Sequence, residues 1–139
     1  MPQHILTITT RGRAFQMITS QVAEVVARSG VSHGLCNVFV RHTSASVLIT
    51  ENADSSVRRD LERFMQRIAP DGSRDYEHDT EGPDDMPAHI RNVLAGSSVV
   101  VPIIDGRLAL GTWQGIYLWE HRTSGHTRQV VVTIVDANA

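Results

Sequence analysis

Hydrophobic and polar positions along the chain predict β-strands towards both ends and helices between them. Apolar side chains alternate with polar ones over residues 3–10 and 36–42, the period-two pattern of a half-buried strand, and a further strand is predicted over 45–50. After residue 54 the apolar positions recur at i, i+4, i+7, i+8 and i+11, which places them on one face of a helix. These positions are Val57, Leu61, Phe64, Met65 and Ile68.

Capping and helix-breaking residues predict three helices. Ser20 is the expected N-cap of the first helix. Asp54 is the expected N-cap of the second and longest helix, which Pro70 stops. The third helix is expected to begin near Asp85 and to end at Gly96, because glycine commonly follows the last helical residue.

A tight hairpin is predicted where two apolar runs flank an aspartate and a glycine. Asp105-Gly106 is a strong signal for a two-residue turn, which would pair Ile104 with Arg107. Proline lacks the N–H that a central strand needs, so Pro102 predicts that the first strand of this hairpin lies at a sheet edge or carries a bulge.

A second hairpin is expected to turn at Ser124-Gly125 and to pair Trp119 with Val130. Both faces of that hairpin would be apolar, so each face needs cover from another sheet or another subunit. The sequence therefore predicts an α+β fold: one domain over residues 1–139, a mostly antiparallel β-sandwich-like sheet and three helices.

Length and composition narrow the class of protein. The 139 residues suit a single domain, and 41% hydrophobic with 20% charged residues is ordinary for a globular protein. No apolar run approaches the roughly 20 residues that cross a bilayer, and residues 1–10 lack the pattern of a signal peptide. A lone cysteine, Cys36, excludes an internal disulfide and a cysteine-based zinc site. We therefore expect a cytoplasmic protein without a membrane partner.

Charge is distributed unevenly along the chain. All 13 basic residues are arginines, and 7 of the 15 acidic residues lie between Asp71 and Asp85. A basic body with an acidic loop lacks the clustered basic face of a nucleic-acid-binding protein, so no nucleic-acid partner is expected. The same distribution suits a small phosphorylated molecule that binds together with a metal.

The acidic loop contains candidate metal ligands. Imidazole together with carboxylate suits zinc or manganese, whereas carboxylates alone suit magnesium. Asp85 and His89 are four residues apart and would lie on one side of a helix. The alternative is a solvated loop whose Asp85 caps a helix. The candidate ligands are His78, Asp84, Asp85 and His89.

A histidine beside hydroxyl side chains marks a second candidate site. His42 is followed by Thr43 and Ser44 where the predicted strand breaks, and a histidine in that position suits a general base or a hydrogen-bond donor. The alternative is a strand-end histidine that the backbone satisfies. There is no Gly-x-Ser-x-Gly elbow that would favour a serine hydrolase.

Phosphate-binding candidates lie near the start of the longest predicted helix. Free backbone N–H groups and arginine side chains both favour a bound anion, which points to Asn52 and Arg59. Trp113 and Gln114 lie between two glycines, where an indole offers a flat stacking surface or simply joins the core of a β-bulge. Arg122 ends a predicted strand and is also explained by a surface ion pair.

Several segments together resemble the secondary thiamine-phosphate synthase family, long classed as an uncharacterised protein family. The similarity covers about the whole chain. The matching segments are residues 42–46, 51–54, 59–64, 76–79, 82–89 and 111–116.

That resemblance implies a β-rich α+β fold, a homotrimer with sites near subunit interfaces, and a weak thiamine-phosphate synthase activity. In that reaction an aminopyrimidine diphosphate loses pyrophosphate as the nitrogen of a thiazole phosphate attacks, and a divalent metal (Mg, Mn or Zn) would stabilise the departing charge. The implied catalytic residues are His42, Ser44, Asp60 and His89. The implied substrate-binding residues are Thr43, Asn52, Arg59, Trp113, Gln114 and Arg122. The implied metal ligands are His78, Asp84, Asp85 and His89.

Two other functions fit the same residues. One is a non-enzymatic trimeric protein that binds a small ligand or a partner, and the other is a metal-dependent hydrolase that uses water at the same site. All of these depend on one expectation, which is that folding gathers His42, His78, Asp84 and His89 into a single polar hollow.

Overall fold

Two antiparallel sheets form the body of the chain in the computed structural model, which describes residues 2–138. One sheet has the strand order β1-β8-β3-β5-β6 and the other has the order β2-β7-β4. The strands are β1 (Gln3–Thr9), β2 (Ala14–Met17), β3 (Gly34–Val40), β4 (Ala45–Glu51), β5 (Ser98–Ile104), β6 (Arg107–Leu108), β7 (Gln114–Glu120) and β8 (Thr127–Asp136). Over the described residues the helices are α1 (Thr19–Ser29), α2 (Ser55–Ile68) and α3 (Asp85–Ala95). The predicted α+β fold with three helices and antiparallel sheets is confirmed.

The hydrophobic core lies between the two sheets. Alternation along β3 buries Cys36, Val38 and Val40, as period-two patterning requires. Ile116 and Leu118 of β7 belong to the same buried cluster. Because α1 packs against β7 and β8, it closes the core on one side.

The predicted second hairpin is wrong, because β7 and β8 belong to different sheets. Trp119 lies opposite Phe15 of β2 and Ser46 of β4, not opposite Val130. The chain crosses from one sheet to the other after β7, and the inward face of β7 then packs on the five-stranded sheet. On the outward face of β7, the Arg58 guanidinium of α2 lies 5.1 Å from the centre of the Tyr117 ring, and the Phe15 ring of β2 stacks on the Trp119 ring with centroids 4.1 Å apart.

The first predicted hairpin is confirmed. Asp105 and Gly106 have positive φ angles of 52° and 77°, which is the backbone of the expected two-residue turn, and Ile104 pairs with Arg107. The Pro102 carbonyl accepts a hydrogen bond from the Ala109 N–H at 2.8 Å, on the outer side of β5. Since β6 has only two residues, most of that outer side is an edge, as the proline indicated.

Gly106→Ala is expected to lower the free energy of unfolding by about 1 kcal/mol, because an added Cβ is unfavourable at this positive φ. An alanine Cβ would meet nothing closer than the Val31 carbonyl oxygen at 3.9 Å, so backbone strain is the whole effect. Urea unfolding measures it. Asp105→Asn is the control and should change stability little, because asparagine tolerates this conformation. Equal stability of Gly106→Ala and wild type would contradict the positive φ angle assigned to Gly106 in this turn.

Helix capping agrees with the sequence for α2 and differs for α1. The Asp54 carboxylate accepts a hydrogen bond from the Ser56 N–H at 2.9 Å, so the predicted cap is confirmed. Ser20 is not the cap of α1, because it lies inside the first turn and the N-cap is Ile18. The helix begins earlier because the backbone N–H of Ile18 and the Thr19 hydroxyl both bond to the backbone of Ile116.

Large apolar side chains remain exposed on α2 and α3. No residue of α2 is fully buried, and its Phe64 and Ile68 side chains are 50% and 46% exposed. Val93 and Leu94 of α3 are also exposed. A homotrimer that covers such surfaces stays a prediction. Among residues 2–138, no helix has both the length and the apolar character that a bilayer crossing demands.

Candidate metal centre

Three side chains around the start of α3 form the candidate metal centre. Asp85 is the first residue of α3, His89 lies one helical turn later, and His78 comes from the loop before the helix. The Asp85 side chain is only 6% exposed, whereas the His89 and His78 side chains are 31% and 41% exposed. A buried carboxylate therefore lies beneath two imidazoles that remain open to solvent.

Both imidazoles point at the same carboxylate oxygen. His78 Nε2 lies 2.6 Å from Asp85 Oδ2, and His89 Nε2 lies 3.1 Å from that same oxygen. One ligand atom from each residue falls within 4.8 Å of the other two. Two imidazole nitrogens and one carboxylate oxygen are a common protein ligand set for zinc and for other divalent transition metals.

The outer atoms of two candidate ligands are held by the protein. His89 Nδ1 lies 3.1 Å from the Thr43 carbonyl oxygen, which can only accept, so Nδ1 carries a proton and Nε2 is the nitrogen directed at the candidate centre. Asp85 Oδ1 pairs with Arg122 Nη1 at 2.9 Å. Outer contacts of this kind orient the ligands of known metal sites.

Without a metal, His78 Nε2 contacts two carboxylates, those of Asp85 and Glu81. The hydrogen bond to Asp85 raises the pKa of His78, because the carboxylate favours the imidazolium form. Glu81 Oε2 lies 3.1 Å from the same His78 nitrogen. A metal would take the place of this proton, so we expect metal affinity to fall as the pH falls.

Asp84 lies next to the three candidate ligands and makes different contacts. Arg122 Nε donates to Asp84 Oδ2 at 3.0 Å, and the Thr123 N–H and hydroxyl donate to the same oxygen at 2.8 and 3.1 Å. Burial alone would raise the pKa of Asp84, but the hydrogen bonds from Arg122 and Thr123 outweigh burial and hold that pKa well below its usual range. In this structure Asp84 anchors the arginine that supports Asp85, and its role as a ligand stays a prediction.

Asp84→Asn is expected to destabilise the protein at neutral pH and to matter less in acid. The folded-state pKa of Asp84 lies below the unfolded value of about 3.9, so its stabilising contribution is present above that value and is lost as the pH falls towards the folded pKa. Urea unfolding at pH 7 and near pH 3 measures the difference between variant and wild type. The exposed Asp79→Asn is the matched control. If the free energies of unfolding of variant and wild type differed equally at both pH values, the lowered folded-state pKa of Asp84 would be contradicted.

His42 and Ser44 lie on the turn between β3 and β4, close to the candidate centre in the fold. His42 is exposed, and its Nδ1 bonds to the Ser44 N–H at 3.1 Å and to Ser44 Oγ at 2.9 Å. Ser44 is buried. The residue between them, Thr43, supplies the carbonyl that holds His89. Folding therefore brings the His42 segment, His78, Asp84 and His89 to one region.

Five other predicted site residues lie in the loops beyond the opposite end of β4, at the first residue of β7 or in the first half of α2, which follows β4. Asn52 follows that strand, and eight residues of extended chain from Ser44 span about 26 Å. The Asn52 amide donates to the Thr112 and Gln114 carbonyls, both at 3.3 Å, so it fastens the loop before β7. Within one chain these residues do not join the candidate centre. They are Asn52, Arg59, Asp60, Trp113 and Gln114.

The members of this second group differ in their surroundings. Trp113 is 62% exposed, and the Gln114 side chain accepts the Gly111 N–H at 2.8 Å. Arg59 donates to the Ser55 hydroxyl at 2.8 Å and lines an open groove of about 460 Å³ between α2 and β2. Asp60 is exposed, and its Oδ1 lies 4.0 Å from Nη1 of Arg63. Their roles as substrate-binding or catalytic residues stay predictions.

Sequence reasoning missed a buried ion pair behind His42. Arg128 Nε donates to Glu120 Oε1 at 2.8 Å, and both residues are almost completely buried. The Thr10 hydroxyl also donates to Glu120, at 2.6 Å. The signal was present in the strand pattern, because Arg128 is two residues before the inward Val130 of β8 and Glu120 is two residues after the inward Leu118 of β7, so each lies on the inward face of its strand. Opposite charges on the inner faces of two packed sheets indicate a buried pair.

Two concavities adjoin the candidate ligands. His78 lines a cavity of about 330 Å³ together with Ser73, Arg74 and Tyr76. His89 lines a groove of about 210 Å³ whose other walls are apolar side chains of α3. Those side chains are Met86, Ile90, Val93 and Leu94.

Comparison with known proteins places the chain among uncharacterised relatives. A family model described as UPF0047 protein YjbQ-like matches residues 4–137. A UPF0047 protein from Synechocystis sp. is 53% identical over 132 residues, which are 95% of this chain and 90% of that protein. The UPF0047 protein YjbQ of Escherichia coli O157:H7 is 44% identical over 133 residues, which are 95% of this chain and 96% of that protein.

Solved structures show the same fold. An uncharacterised conserved protein of the yjbq/upf0047 family from Clostridium acetobutylicum superposes with a TM-score of 0.84 at 40% identity, over 96% of this chain and 98% of that chain. A YbjQ-like protein of unknown function from Sulfolobus solfataricus P2 gives a TM-score of 0.85 at 26% identity, over 96% and 97% of the two chains.

The resemblance seen in the sequence is thus confirmed at the level of an uncharacterised family. None of the relatives and structures named above is described as a thiamine-phosphate synthase, so that activity stays a prediction. Because the matched segment covers nearly the whole chain and identity reaches 53%, the protein belongs to the YjbQ-like UPF0047 family.

Proposed function

We propose that His78, Asp85 and His89 bind a divalent transition metal that the protein uses on a small phosphorylated substrate. The observation that carries the proposal is the convergence of both imidazole Nε2 atoms on Asp85 Oδ2, at 2.6 and 3.1 Å. The protein fixes the outer atoms of His89 and Asp85, as it does around known metal ligands.

Zinc or manganese suits this centre better than magnesium does. Two of the three ligand atoms are imidazole nitrogens, which zinc accepts readily, whereas magnesium prefers oxygen. Three protein ligands leave at least one coordination position for substrate or water. That open position is what distinguishes a catalytic zinc site from a closed structural one.

The two concavities suggest a substrate with a phosphorylated end and an apolar end. Arg74, Ser73 and Asp79 line the cavity beside His78, and the guanidinium and hydroxyl groups among them suit phosphoryl oxygens. The groove beside His89 is walled by carbon and suits a ring or an alkyl group. Since His78 and His89 belong to one cluster, a single molecule could reach both concavities and the metal.

Thiamine-phosphate synthesis, which the sequence resemblance implies, has substrates of this kind. Each partner carries a heterocycle and a phosphate or diphosphate, and the pyrimidine methylene exchanges its bond to diphosphate oxygen for a bond to the thiazole nitrogen. A cation at the candidate centre would supply charge stabilisation for the departing pyrophosphate. We propose this reaction as the specific activity of the metal centre.

A product assay tests the reaction. Purified wild type is incubated with the aminopyrimidine diphosphate, the thiazole phosphate and Mg²⁺, Mn²⁺ or Zn²⁺, and thiamine phosphate is quantified. We expect formation above the level of His89→Ala and unchanged formation in His33→Ala, which removes an exposed histidine from another loop. No product above the His89→Ala level with any of the metals would exclude this reaction.

Metal-dependent hydrolysis is the second candidate, because the open coordination position can also hold an activated water. Phosphate-ester substrates assayed with and without a chelator separate it from the synthase. Metal and pyrophosphate binding without turnover in either assay would favour a ligand-binding protein instead.

A further inference from the structure

A buried chain of hydrogen bonds ends at the exposed His42 ring. It begins at Glu120, which accepts from Arg128 Nε at 2.8 Å. Arg128 Nη2 in turn donates to Ser44 Oγ at 2.8 Å. Ser44 then contacts His42 Nδ1 through both its hydroxyl and its backbone N–H. Glu120, Arg128 and Ser44 are each at most 2% exposed.

The backbone N–H of Ser44 determines that His42 Nδ1 is an acceptor. A guanidinium can only donate, so Ser44 Oγ accepts from Arg128 and its own proton is free to reach His42 Nδ1. The Ser44 backbone N–H can also only donate to that nitrogen. Two donors therefore face Nδ1, and the neutral imidazole must carry its proton on Nε2.

We propose that Arg128 and Ser44 are positioning residues that hold His42 as its Nε2–H tautomer, which offers a hydrogen-bond donor to a phosphoryl oxygen of the substrate. Within residues 2–138, the hydrogen bonds that His42 makes all involve Nδ1, which leaves Nε2 to a ligand. Partial burial, and after it the charge of Arg128, lower the pKa of His42, in accord with a neutral ring.

His42 is tied to the candidate metal centre through its neighbour in sequence. The Thr43 carbonyl accepts from His89 Nδ1, so the turn that carries His42 packs directly on the helix that carries His89 and Asp85. The hydrogen bond from His42 to a phosphoryl oxygen, its oxyanion role, rests on the proposed function, because it requires a phosphoryl group at the metal. The tautomer depends on this chain's own contacts alone.

Nitrogen NMR of metal-free protein labelled with ¹⁵N-histidine tests the tautomer at pH 8. The His42 signals are identified by their absence in His42→Gln. We expect the Nε2–H form to predominate in wild type. Ser44→Ala should shift the tautomer ratio towards Nδ1–H by roughly fivefold, since it removes one ordinary hydrogen bond to Nδ1. Ser46→Ala is the control, because that buried serine bonds to His121 instead, and it should leave the ratio unchanged.

A predominant Nδ1–H form in wild type would overturn the positioning role. Identical ratios in Ser44→Ala and wild type would overturn it as well. Neither result depends on metal binding or on catalysis. The tautomer measurement can therefore fail while the proposed function holds, and the reverse is also true.

Pyrophosphate binding to metal-loaded protein tests the oxyanion role by calorimetry. The glutamine amide of His42→Gln can place an N–H near the former Nε2, whereas the shorter side chain of His42→Asn cannot. We expect affinity to fall roughly tenfold or more in His42→Asn and distinctly less in His42→Gln, because the lost bond is to a charged group. Equal losses in both variants, or no pyrophosphate binding by wild type, would overturn this role.

Discussion

Asp85→Asn is expected to abolish stoichiometric zinc binding. Asp85 Oδ2 is the atom on which both imidazoles converge, and Asp85 Oδ1 is held by Arg122. The amide removes the negative charge that offsets the metal and presents a poor ligand. Outer-contact residues of metal sites alone change affinity about 10–100-fold, so loss of a direct ligand should cost more than about 100-fold. Zinc titration in competition with a chromophoric chelator measures it.

Asp79→Asn is the matched control for that experiment. Asp79 belongs to the same acidic loop and is exposed, but it is outside the cluster of candidate ligands. We expect the zinc affinity of the Asp79→Asn protein to equal that of wild type. If Asp79→Asn weakened zinc binding as much as Asp85→Asn does, zinc would be held by the general negative charge of the loop and not by a defined centre.

Glu120→Ala is expected to lower the free energy of unfolding by about 3–5 kcal/mol. It leaves the Arg128 guanidinium buried without its carboxylate partner, and breaking a buried ion pair from one side costs that much. Since domains of this kind have total stabilities of roughly 5–15 kcal/mol, the variant should be close to unfolding. Urea unfolding followed by circular dichroism measures the change.

Glu24→Ala is the control for the stability measurement. It removes an exposed ion pair with Arg28 on α1, which should contribute less than about 1 kcal/mol. Replacing Glu120 and Arg128 together by methionine should recover much of the stability, because no uncompensated charge remains. A loss below about 1 kcal/mol in Glu120→Ala would mean that water reaches Arg128, contrary to its burial.

Local patterns predicted the elements that local chemistry determines. The Asp54 cap and the Asp105-Gly106 turn depend on neighbours within a few residues, and both were correct. The Ser124-Gly125 turn was misread because a turn signal does not say which sheet the next strand joins. β7 pairs with β4, some seventy residues earlier, and that pairing is set by packing across the sandwich. β2 was missed because four residues are too few to show a period.

The candidate site was predictable to the extent that its spacing is helical. Asp85 and His89 are four residues apart on α3 and do face the same point. His78 joins them only because the acidic loop folds back. Asp84 is adjacent in sequence to Asp85, yet Arg122 and Thr123, nearly forty residues later, take up its carboxylate. Such tertiary contacts leave no trace in local patterning, which is also why the residues near Asn52 were grouped with a centre at the other end of β4.

The most direct test of the proposed metal centre is a crystal structure of zinc-loaded protein with an anomalous difference map at the zinc edge. We expect one anomalous peak per chain, about 2.0–2.2 Å from His78 Nε2, His89 Nε2 and a carboxylate oxygen of Asp85. Absence of a peak among these three atoms, or a peak held only by other residues, would contradict the proposed metal centre.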